Sequence, residues 1–238
     1  MTLLYVFPHP DDESFGPAPA IARQAREGHA VHVLTLTRGG ATRQRHRLRL
    51  SVEAMGAVRE REMRCVARTL GLAGLTVLDL PDGGLADLDP RRVEQPVREA
   101  LERLCPEVLV TYAVFGNSGH ADHLVVHAAV KRVFCALRDT VPRRAPRRLA
   151  LFALVEGEME GAAAHLRGVD PARIGARVAF SAEDRARAEA ALACYETYAE
   201  VVRKHRPLEQ VAAGVAFELF GEPARATPLR ALTDALPD

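Results

Sequence analysis

The sequence predicts an α/β fold, a Rossmann-like three-layer arrangement with a mostly parallel sheet between two layers of helices. Short apolar runs typical of buried strands alternate with helical segments of about 10–15 residues, which is the pattern of βαβ units. Proline directly follows two of the apolar runs, at Pro8 and Pro81, as expected at strand ends. A chain of 238 residues can bury a sizeable core in a single domain. We therefore expect one domain over residues 1–238, with less distinctive patterns from about residue 155 onward.

The first half of the chain predicts three strands. Leu3–Phe7 is an apolar run that ends at Pro8, as suits a buried parallel strand. Gly28 and Gly71 stand where helices end, and Asp89 with Pro90 opens a further helix with a cap and a first-turn proline. In chain order we expect a strand over Leu3–Phe7, a helix over Pro17–Gly28, a strand over Val31–Leu36, a polar loop over Arg38–Arg49, a helix over Val58–Leu70, a strand over Leu75–Leu80 and a helix from Asp89 to about Leu104.

The second half adds two expected strands and ends in a long helical pattern. The expected elements are a strand over Val108–Tyr112, a helix over Asp122–Leu137, a strand over Leu149–Leu154 and one long helix over Ala182–Lys204. We find no internal repeat and no low-complexity linker that would mark a second domain.

Charge and composition exclude several function classes. There are 32 basic and 31 acidic residues, so a net charge of +1 gives no field that would attract nucleic acid or a membrane surface. The basic residues are almost all arginine, which indicates a GC-rich bacterial genome. The chain opens without a basic segment and a long apolar one, so we expect no secretory signal and a cytoplasmic location. The four cysteines form no CxxC pair, and we interpret them as reduced core thiols. Homo-oligomers remain possible.

Polar segments follow four of the predicted strands. They begin at His9, Arg38, Asp82 and His120. Because parallel sheets bind ligands beyond the carboxyl ends of their strands, we expect these segments to converge on one site.

The segment after the first strand, His9-Pro10-Asp11-Asp12-Glu13, places three carboxylates in a row beside the core. Such groups repel one another and lose hydration unless a positive charge compensates them, and no lysine or arginine precedes Arg23. A helix dipole would explain Glu13 but not His9. A bound cation is the natural alternative.

The segment after the fourth strand, Gly119-His120-Ala121-Asp122-His123, supplies the second half of this site. Two histidines three apart at a helix start can face the same side. His9, Asp12 and His123 form an N, O, N donor set, and three protein ligands plus water is the usual layout of a catalytic zinc site. Iron(II) or cobalt would also suit these donors. His127 lies one turn further on and fits the core or a supporting position better than a fourth ligand.

These paired segments resemble the LmbE-like (PIG-L) family of N-acetylglucosaminyl deacetylases. The resemblance runs from Leu3 to about Leu154 and includes further family-like pieces over residues 37–40, 59–62 and 80–85. It implies a metal-dependent hydrolase in which metal-bound water removes the N-acetyl group of an N-acetylglucosamine-type sugar conjugate. The resemblance thus implies that the protein binds a small-molecule substrate. A thiol-cofactor precursor of the bacillithiol type is one option for this substrate.

The resemblance also implies a role for each matching residue. His9, Asp12 and His123 match the zinc ligands, and Asp11 matches the general base. His120 matches the oxyanion-stabilising histidine, which Asp122 orients. Apart from the resemblance, we expect Glu13 to hydrogen-bond a ligand or to cap a helix. Arg59 and Asp82 match positions that contact sugar hydroxyls. Ser118 stands where some members carry a helper tyrosine, and Ala121 replaces a usual proline.

Other functions remain open at this point. A metal-dependent amidase acting on a non-sugar acyl amide would use the same residues. A metal phosphoesterase usually needs two metals, and the sequence shows one ligand set. A binding module that merely holds a metal would not need Asp11 or His120. A nucleotide-binding domain lacks its GxGxxG segment after the first strand.

Overall fold

The computed structural model describes residues 1–159 and 165–237, and within them the chain forms one mixed sheet covered by helices on both faces. The strands are β1 (Thr2–Phe7), β2 (Ala30–Thr37), β3 (Gly74–Leu80), β4 (Val108–Tyr112), β5 (Arg148–Ala153), β6 (Ala176–Val178) and β7 (Val215–Leu219). The helices are α1 (Ala18–Arg26), α2 (Gln44–Arg47), α3 (Val52–Leu70), α4 (Pro90–Leu104), α5 (Ala121–Thr140), α6 (Ala182–Ala193) and α7 (Ala199–His205). The predicted α/β class with a mostly parallel sheet is confirmed.

The sheet order is β3-β2-β1-β4-β5-β7-β6. The first five of these strands are parallel, so their carboxyl ends share one edge. β7 runs antiparallel to both β5 and β6. The chain order reverses between β1 and β4, which is the position where doubly wound sheets open a crevice for ligands.

The core lies in two apolar clusters on opposite faces of the sheet. α1, α3 and α6 cover one face, and α4 and α5 cover the other. Alternate residues of β1 belong to opposite clusters, with Tyr5 on one face and Val6 on the other, and both side chains are fully buried. A continuous apolar run is therefore required in this central strand.

Helix α3 begins six residues earlier than the sequence suggested. The Ser51 hydroxyl caps it by accepting a hydrogen bond from the Ala54 amide, and Gly71 ends it in the left-handed region at φ 72°. The polar loop expected over Arg38–Arg49 also contains the single turn α2. The sequence pattern therefore predicted neither the true start of α3 nor the short helix α2.

The single helix expected over Ala182–Lys204 was wrong. α6 ends at Ala193, and a 3₁₀ turn over Glu196–Tyr198 separates it from α7. Tertiary contacts at the break account for the interruption, because the Thr197 amide and hydroxyl donate to the two carboxylate oxygens of Glu62 at 2.8 and 2.7 Å. The break also brings Tyr195 into the core, where its side chain is fully buried.

The prediction of four reduced cysteines was wrong for two of them. Cys65 of α3 and Cys194 at the end of α6 form a disulfide across 129 residues of sequence, with their Cα atoms 5.8 Å apart. Cys105 and Cys135 are free. Sequence spacing gave no sign of the pair, since only the packing of α3 against α6 brings the two thiols together.

None of the helices within residues 1–159 and 165–237 has both the length and the apolar composition that a membrane span requires.

Candidate active site

The polar segments after β1 and β4 meet at the crevice between these two neighbouring strands. His9, Asp11, Asp12 and Glu13 follow β1, while His120, Asp122 and His123 lie at the start of α5, shortly after β4. The ring centres of His9 and His123 are 5.3 Å apart. The convergence that the strand order predicts is thus confirmed for these two segments.

The turn after β1 holds Asp11 in an unusual backbone conformation. Its φ of 92° is uncommon for a residue with a Cβ atom. The Asp11 amide donates to the Tyr195 hydroxyl at 2.8 Å, and its carbonyl accepts from the amides of Ser14 and Phe15. Hydrogen bonds from both sides therefore fix the peptide groups around Asp11.

His9 contacts three carboxylates at once. Its Nε2 atom lies 3.0 Å from Asp122 Oδ2 and 3.3 Å from Asp82 Oδ1, and its Nδ1 atom lies 3.5 Å from Asp12 Oδ2. Burial lowers the pKa of His9, but the hydrogen bonds to Asp12, Asp122 and Asp82 outweigh burial and raise this pKa well above its usual range. The three carboxylates thus favour positive charge at this position.

Asp12 and His123 form the centre of the site. Asp12 Oδ1 accepts from the Tyr112 hydroxyl at 2.7 Å and lies 3.4 Å from His123 Nε2. Burial acts to raise the pKa of Asp12, yet His123, His9 and Tyr112 together lower it below its usual range. The His123 Nδ1–H donates to the Gly116 carbonyl at 2.8 Å, which leaves the Nε2 lone pair free to bind a cation.

His120 caps α5, and Asp122 takes a different partner from the one expected. The Asp122 amide donates to His120 Nδ1 at 3.2 Å, so a neutral His120 carries its proton on Nε2. The Asp122 carboxylate accepts from the amides of Gly83 and Leu85 and from His9. The expectation that this carboxylate orients His120 was wrong, because the α5 start turns it toward His9.

Asp11 pairs with Arg59 beneath the crevice. Arg59 Nη2 donates to Asp11 Oδ2 at 2.8 Å, and its Nη1 donates to the Gly39 carbonyl at 3.0 Å. Burial raises the pKa of Asp11 to about 8, opposed by Arg59 and reinforced by Asp12 and Glu13. Two adjacent carboxyl groups therefore have pKa values shifted in opposite directions, which separates a proton-holding group from an ionised one.

Among the described residues, the Glu13 side chain makes no hydrogen bond to His9, Asp12 or His123 and does not cap a helix. Its Oε1 accepts from the Ser14 hydroxyl at 2.6 Å and from the Tyr195 hydroxyl at 2.7 Å. The N-cap of α1 is Pro17, without a side-chain hydrogen bond. Burial raises the pKa of Glu13, while its hydrogen bonds to Ser14 and Tyr195 lower it by less. Glu13 therefore supports the turn through Tyr195.

A polar cavity of about 370 Å³ opens over these residues. Asp82 lies in its wall, where it accepts from the Ala41 amide at 2.7 Å. The Tyr198 ring covers the Arg59 guanidinium at 4.2 Å. The residues that line this cavity include His9, Asp11, Asp12, Thr42, Arg43, Arg59, Asp82, His120, His123 and Tyr198.

Two groups of possible metal ligands share His9. His9, His120 and His123 form one group, and His9, Asp82 and Asp122 form the other, with the ligand atoms of each group within 4.8 Å of one another. The second group already has partners, because His9 and backbone amides donate to both carboxylates. In the first group, His120 Nδ1 accepts from the Asp122 amide, whereas His123 has a free Nε2 lone pair 3.4 Å from Asp12 Oδ1, so His123 and Asp12 are the donors best placed for a divalent ion.

Comparison with known proteins adds the family. The family model described as PIG-L, GlcNAc-PI de-N-acetylase, matches residues 4–134. The chain belongs to the PIG-L family. The matched segment contains the polar segments that follow β1 and β4, and it ends within α5. It therefore includes four of the five parallel strands, β1 to β4, but not β5.

One curated relative and two solved structures illustrate the range of similar proteins. The 1D-myo-inositol 2-acetamido-2-deoxy-alpha-D-glucopyranoside deacetylase of Kineococcus radiotolerans is 32% identical over 157 residues, which is 55% of this chain and 44% of that protein. The N,N'-diacetylchitobiose deacetylase of Pyrococcus horikoshii is 16% identical with a TM-score of 0.69, over 92% of this chain and 83% of the other. The 4-carboxy-2-hydroxymuconate hydratase GalB of Pseudomonas putida is 18% identical with a TM-score of 0.65, over 96% of this chain and 99% of the other.

The PIG-L fold alone does not assign a reaction to this chain. The chain spans about half the length of the curated relatives that it matches. A deacetylase and a hydratase share the architecture, so the fold does not decide the chemistry. The function has to be argued from the site.

Three tyrosines complete the site, and the sequence patterns predicted none of them. Tyr112 stacks on His123 with ring centres 4.4 Å apart and donates to Asp12. Tyr195 and Tyr198 come from the break between α6 and α7, outside the segment that matches the family model. Tyr112 ends a predicted strand and could have been suspected from that position. Nothing in the sequence pattern around Tyr195 separates it from a helical core residue.

Proposed function

We propose that this domain hydrolyses the N-acetyl group of an N-acetylglucosamine-type small-molecule conjugate. The observation that carries the proposal is the meeting of Asp11, Asp12, His120 and His123 at one polar cavity, with the pKa values of the two aspartates shifted apart. The names of the Kineococcus relative and the Pyrococcus structure neighbour support the N-acetyl sugar class. A thiol-cofactor precursor, including one of the bacillithiol type, is the narrower substrate that we propose within this class.

His9, Asp12 and His123 are the residues that we propose as ligands of one divalent ion. The fit rests on the free Nε2 lone pair of His123 and its 3.4 Å distance to Asp12 Oδ1, which is about the spacing of two ligands on a tetrahedral zinc. A cation would also replace the charge of protonated His9 among the carboxylates. When bound, zinc, or iron(II) or cobalt in its place, supplies a Lewis acid and lowers the pKa of water to about 7.

Asp11 is the group that we propose to accept and return the proton. Arg59 holds Oδ2, so the free Oδ1 atom is the one available to a reactant. A pKa of about 8 lies near neutrality, where a carboxyl group can act first as base and then as acid. The leaving amine needs this proton, because an unprotonated amide nitrogen is a poor leaving group.

His120 is the donor that we propose for the carbonyl oxygen as negative charge develops on it. Its Nδ1 is occupied by the Asp122 amide, so the Nε2–H is the group free to donate. Asp82 and Arg59, in the cavity wall, are the proposed contacts for sugar hydroxyls. Arg59 is only 2% exposed, and its main observed contacts are with the turn that carries Asp11.

The cellular context is part of the proposal. A cytoplasmic location stays a prediction, and the Cys65–Cys194 disulfide weighs against the reduced thiols that were expected with it. Homo-oligomerisation stays a prediction.

The proposed function can be tested by combining metal analysis with amine release. Purified protein is loaded with zinc, iron(II) or cobalt and assayed on N-acetylglucosamine, N-acetylglucosaminyl malate, an N-acetylglucosaminyl inositol and N-acetyl amino acids. We expect one ion per chain, its loss in His123→Ala, and amine release from the sugar substrates. Preference for an acyl amino acid over every sugar would favour the general amidase, and an ion bound without dependence on His123 would contradict the ligand set. His127→Ala is the matched control, because His127 is buried nearby and donates to the Tyr112 carbonyl.

A further inference from the structure

A second cavity, of about 220 Å³, shares Asp11, Asp12 and His123 with the polar cavity. Most of its lining surface is apolar and comes from Phe15, Tyr112, Leu154, Leu166, Val201 and Pro207, while Asn117, Ser118, His165, His205 and Gln210 are the polar residues that also line it. Two cavities, one with a mostly polar lining and one with a mostly apolar lining, thus meet at Asp11 and Asp12. We call them the polar cavity and the apolar cavity.

The wall of the apolar cavity next to the carboxylates is fixed by the sheet. Tyr112 is the last residue of β4 and Leu154 follows β5, and their side chains are 4% and 5% exposed. Two contacts fix the Tyr112 side chain: its ring stacks on His123, and its hydroxyl donates a hydrogen bond to Asp12. Val201 of α7 and Pro207, just beyond α7, also line this cavity. The space is therefore bounded by ordered elements next to the reacting groups.

The two substituents of an N-acyl sugar differ in the same way as the two cavities. The sugar carries hydroxyl groups, which need hydrogen-bond partners when they leave water, and Arg59, Asp82 and Thr42 line the polar cavity. The acyl group is a hydrocarbon, which gains from contact with apolar side chains. An amide carbon placed between the cavities directs the sugar to the polar cavity and the acyl chain to the apolar one.

The apolar cavity is larger than an acetyl group requires. A methyl group takes up about as much space as a water molecule, whose share of liquid volume is about 30 Å³. The cavity therefore has room for roughly six or seven such groups. We infer that the domain accepts N-acyl sugars whose linear aliphatic acyl chain is longer than acetyl, and that the chain lies in the apolar cavity. This inference rests on the proposed function.

Binding and turnover of two matched substrate series test the inference. One series varies the N-acyl group of glucosamine from acetyl to butanoyl, hexanoyl and octanoyl. The other keeps the N-acetyl group and varies an alkyl group on the anomeric oxygen over the same lengths. We expect Asp11→Asn to bind the N-acyl series about three- to fourfold more tightly for each added methylene up to about six carbons, and kcat/KM of the unmodified enzyme to rise in parallel. The alkyl glycoside series should stay flat.

A pair of variants checks where the chain lies. Val201→Phe narrows the apolar cavity and should lower the ratio of hexanoyl to acetyl kcat/KM at least tenfold. Val141→Phe adds the same ring at a 42% exposed position away from the site, and should leave this ratio unchanged. Melting temperatures confirm that both variants fold.

Several results would overturn the inference. Affinity that rises only in the alkyl glycoside series would assign the apolar cavity to the aglycone. Affinity that falls beyond acetyl in the N-acyl series would show that the cavity takes no acyl chain. If the enzyme releases amine from none of the sugars, the proposed function fails, and the binding series on Asp11→Asn still decides whether the cavity takes the chain.

Discussion

Asp11 and Asp12 are adjacent in the chain but have opposite surroundings. Asp12 faces His9, His123 and the Tyr112 hydroxyl, which stabilise its negative charge. Asp11 is buried beside the other carboxylates with Arg59 as its compensating partner, and its pKa is raised to about 8. The resemblance implies that Asp12 is a ligand and Asp11 the base, and these contacts support that proposed division of roles.

Asp11→Asn tests the base. Asparagine preserves the shape and can still accept from Arg59, but it cannot take up a proton. We expect turnover to fall about 10²-fold or more while the metal content stays at one ion per chain. Activity and metal content are measured on the same preparation, with Asp139→Asn, a surface substitution at a 75% exposed side chain, as the control. Near-normal turnover in Asp11→Asn would assign the proton transfer elsewhere.

His120→Ala tests the oxyanion donor. A donor that acts on the developing charge stabilises the transition state more than the bound substrate. We therefore expect kcat to fall about 10²-fold with little change in KM. Steady-state kinetics on the best sugar substrate separate the two constants. A change confined to KM would make His120 a substrate-binding residue instead.

Tyr195→Phe tests whether this tyrosine positions Asp11. The change removes the acceptor of the amide of Asp11, the residue whose φ is 92°, and it also removes the donor to Glu13. We expect kcat to fall about tenfold or more with metal content and KM retained, because the base loses its fixed position. Tyr5→Phe removes another fully buried hydroxyl, which donates to Gln24 and does not touch the turn. Equal losses of kcat in the two variants would reduce the role of Tyr195 to general stability.

At the scale of secondary-structure elements, α6 links the C-terminal part of the chain to α1. Ser181 and Asp184 form a capping box at the α6 start, and Asp184 also accepts two hydrogen bonds from Arg26 of α1 at 2.9 Å each. Burial acts to raise the pKa of Asp184, but Arg26 and Ser181 lower it to about 2. The charge of Asp184 therefore stabilises the folded state.

Asp184→Asn makes this contribution measurable through its pH dependence. The folded-state pKa is depressed, so the stabilisation is complete above about pH 4 and disappears as the pH falls through about 2. We expect the variant to be less stable at pH 7 by about 1–2 kcal/mol, a value reduced for screening because the Arg26 side chain is 36% exposed. Urea unfolding at pH 7 and at pH 3 provides the comparison. A difference between variant and parent that does not shrink at pH 3 would contradict the ionic origin.

At the scale of the whole molecule, the disulfide joins the family-matched part of the chain to the part beyond it. It connects α3, which carries Arg59 and Glu62, to the break that carries Tyr195 and Thr197. Closing a loop of this length restricts the unfolded chain, and such cross-links typically stabilise a protein by about 2–4 kcal/mol. The disulfide thus joins the two segments that contact the turn after β1, which carries Asp11, Asp12 and Glu13.

Cys65→Ala with Cys194→Ala should lower the free energy of unfolding by about 2–4 kcal/mol. Denaturant unfolding without reductant measures this change. The matched control is Cys105→Ala with Cys135→Ala, which removes the two free thiols. Thiol titration of the unfolded, unreduced parent should find two free thiols of the four cysteines. Four free thiols would contradict the disulfide.

The sequence by itself determined the parallel part of the fold and the chemistry of its central turn. Apolar runs such as Leu3–Phe7 and Val108–Tyr112 specify buried strands locally, and the carboxyl ends of parallel strands necessarily share an edge. The placement of His9, Asp12 and His123 near one another followed from those two facts. A row of carboxylates beside an apolar core needs a nearby positive charge, because the negative charges repel one another and lose their hydration.

Only the tertiary structure decided what surrounds that turn. β6 and β7, the break after α6 and the Cys65–Cys194 disulfide all depend on contacts between residues far apart in sequence. Tyr195 reaches Asp11 across 184 positions, and neither residue carries a local signal of the other. Hydrophobic periodicity and capping act over a few residues, so they fix the type of an element. Packing and hydrogen bonds between elements fix which side chains meet, and those contacts set the pKa of Asp11 and the shape of the two cavities.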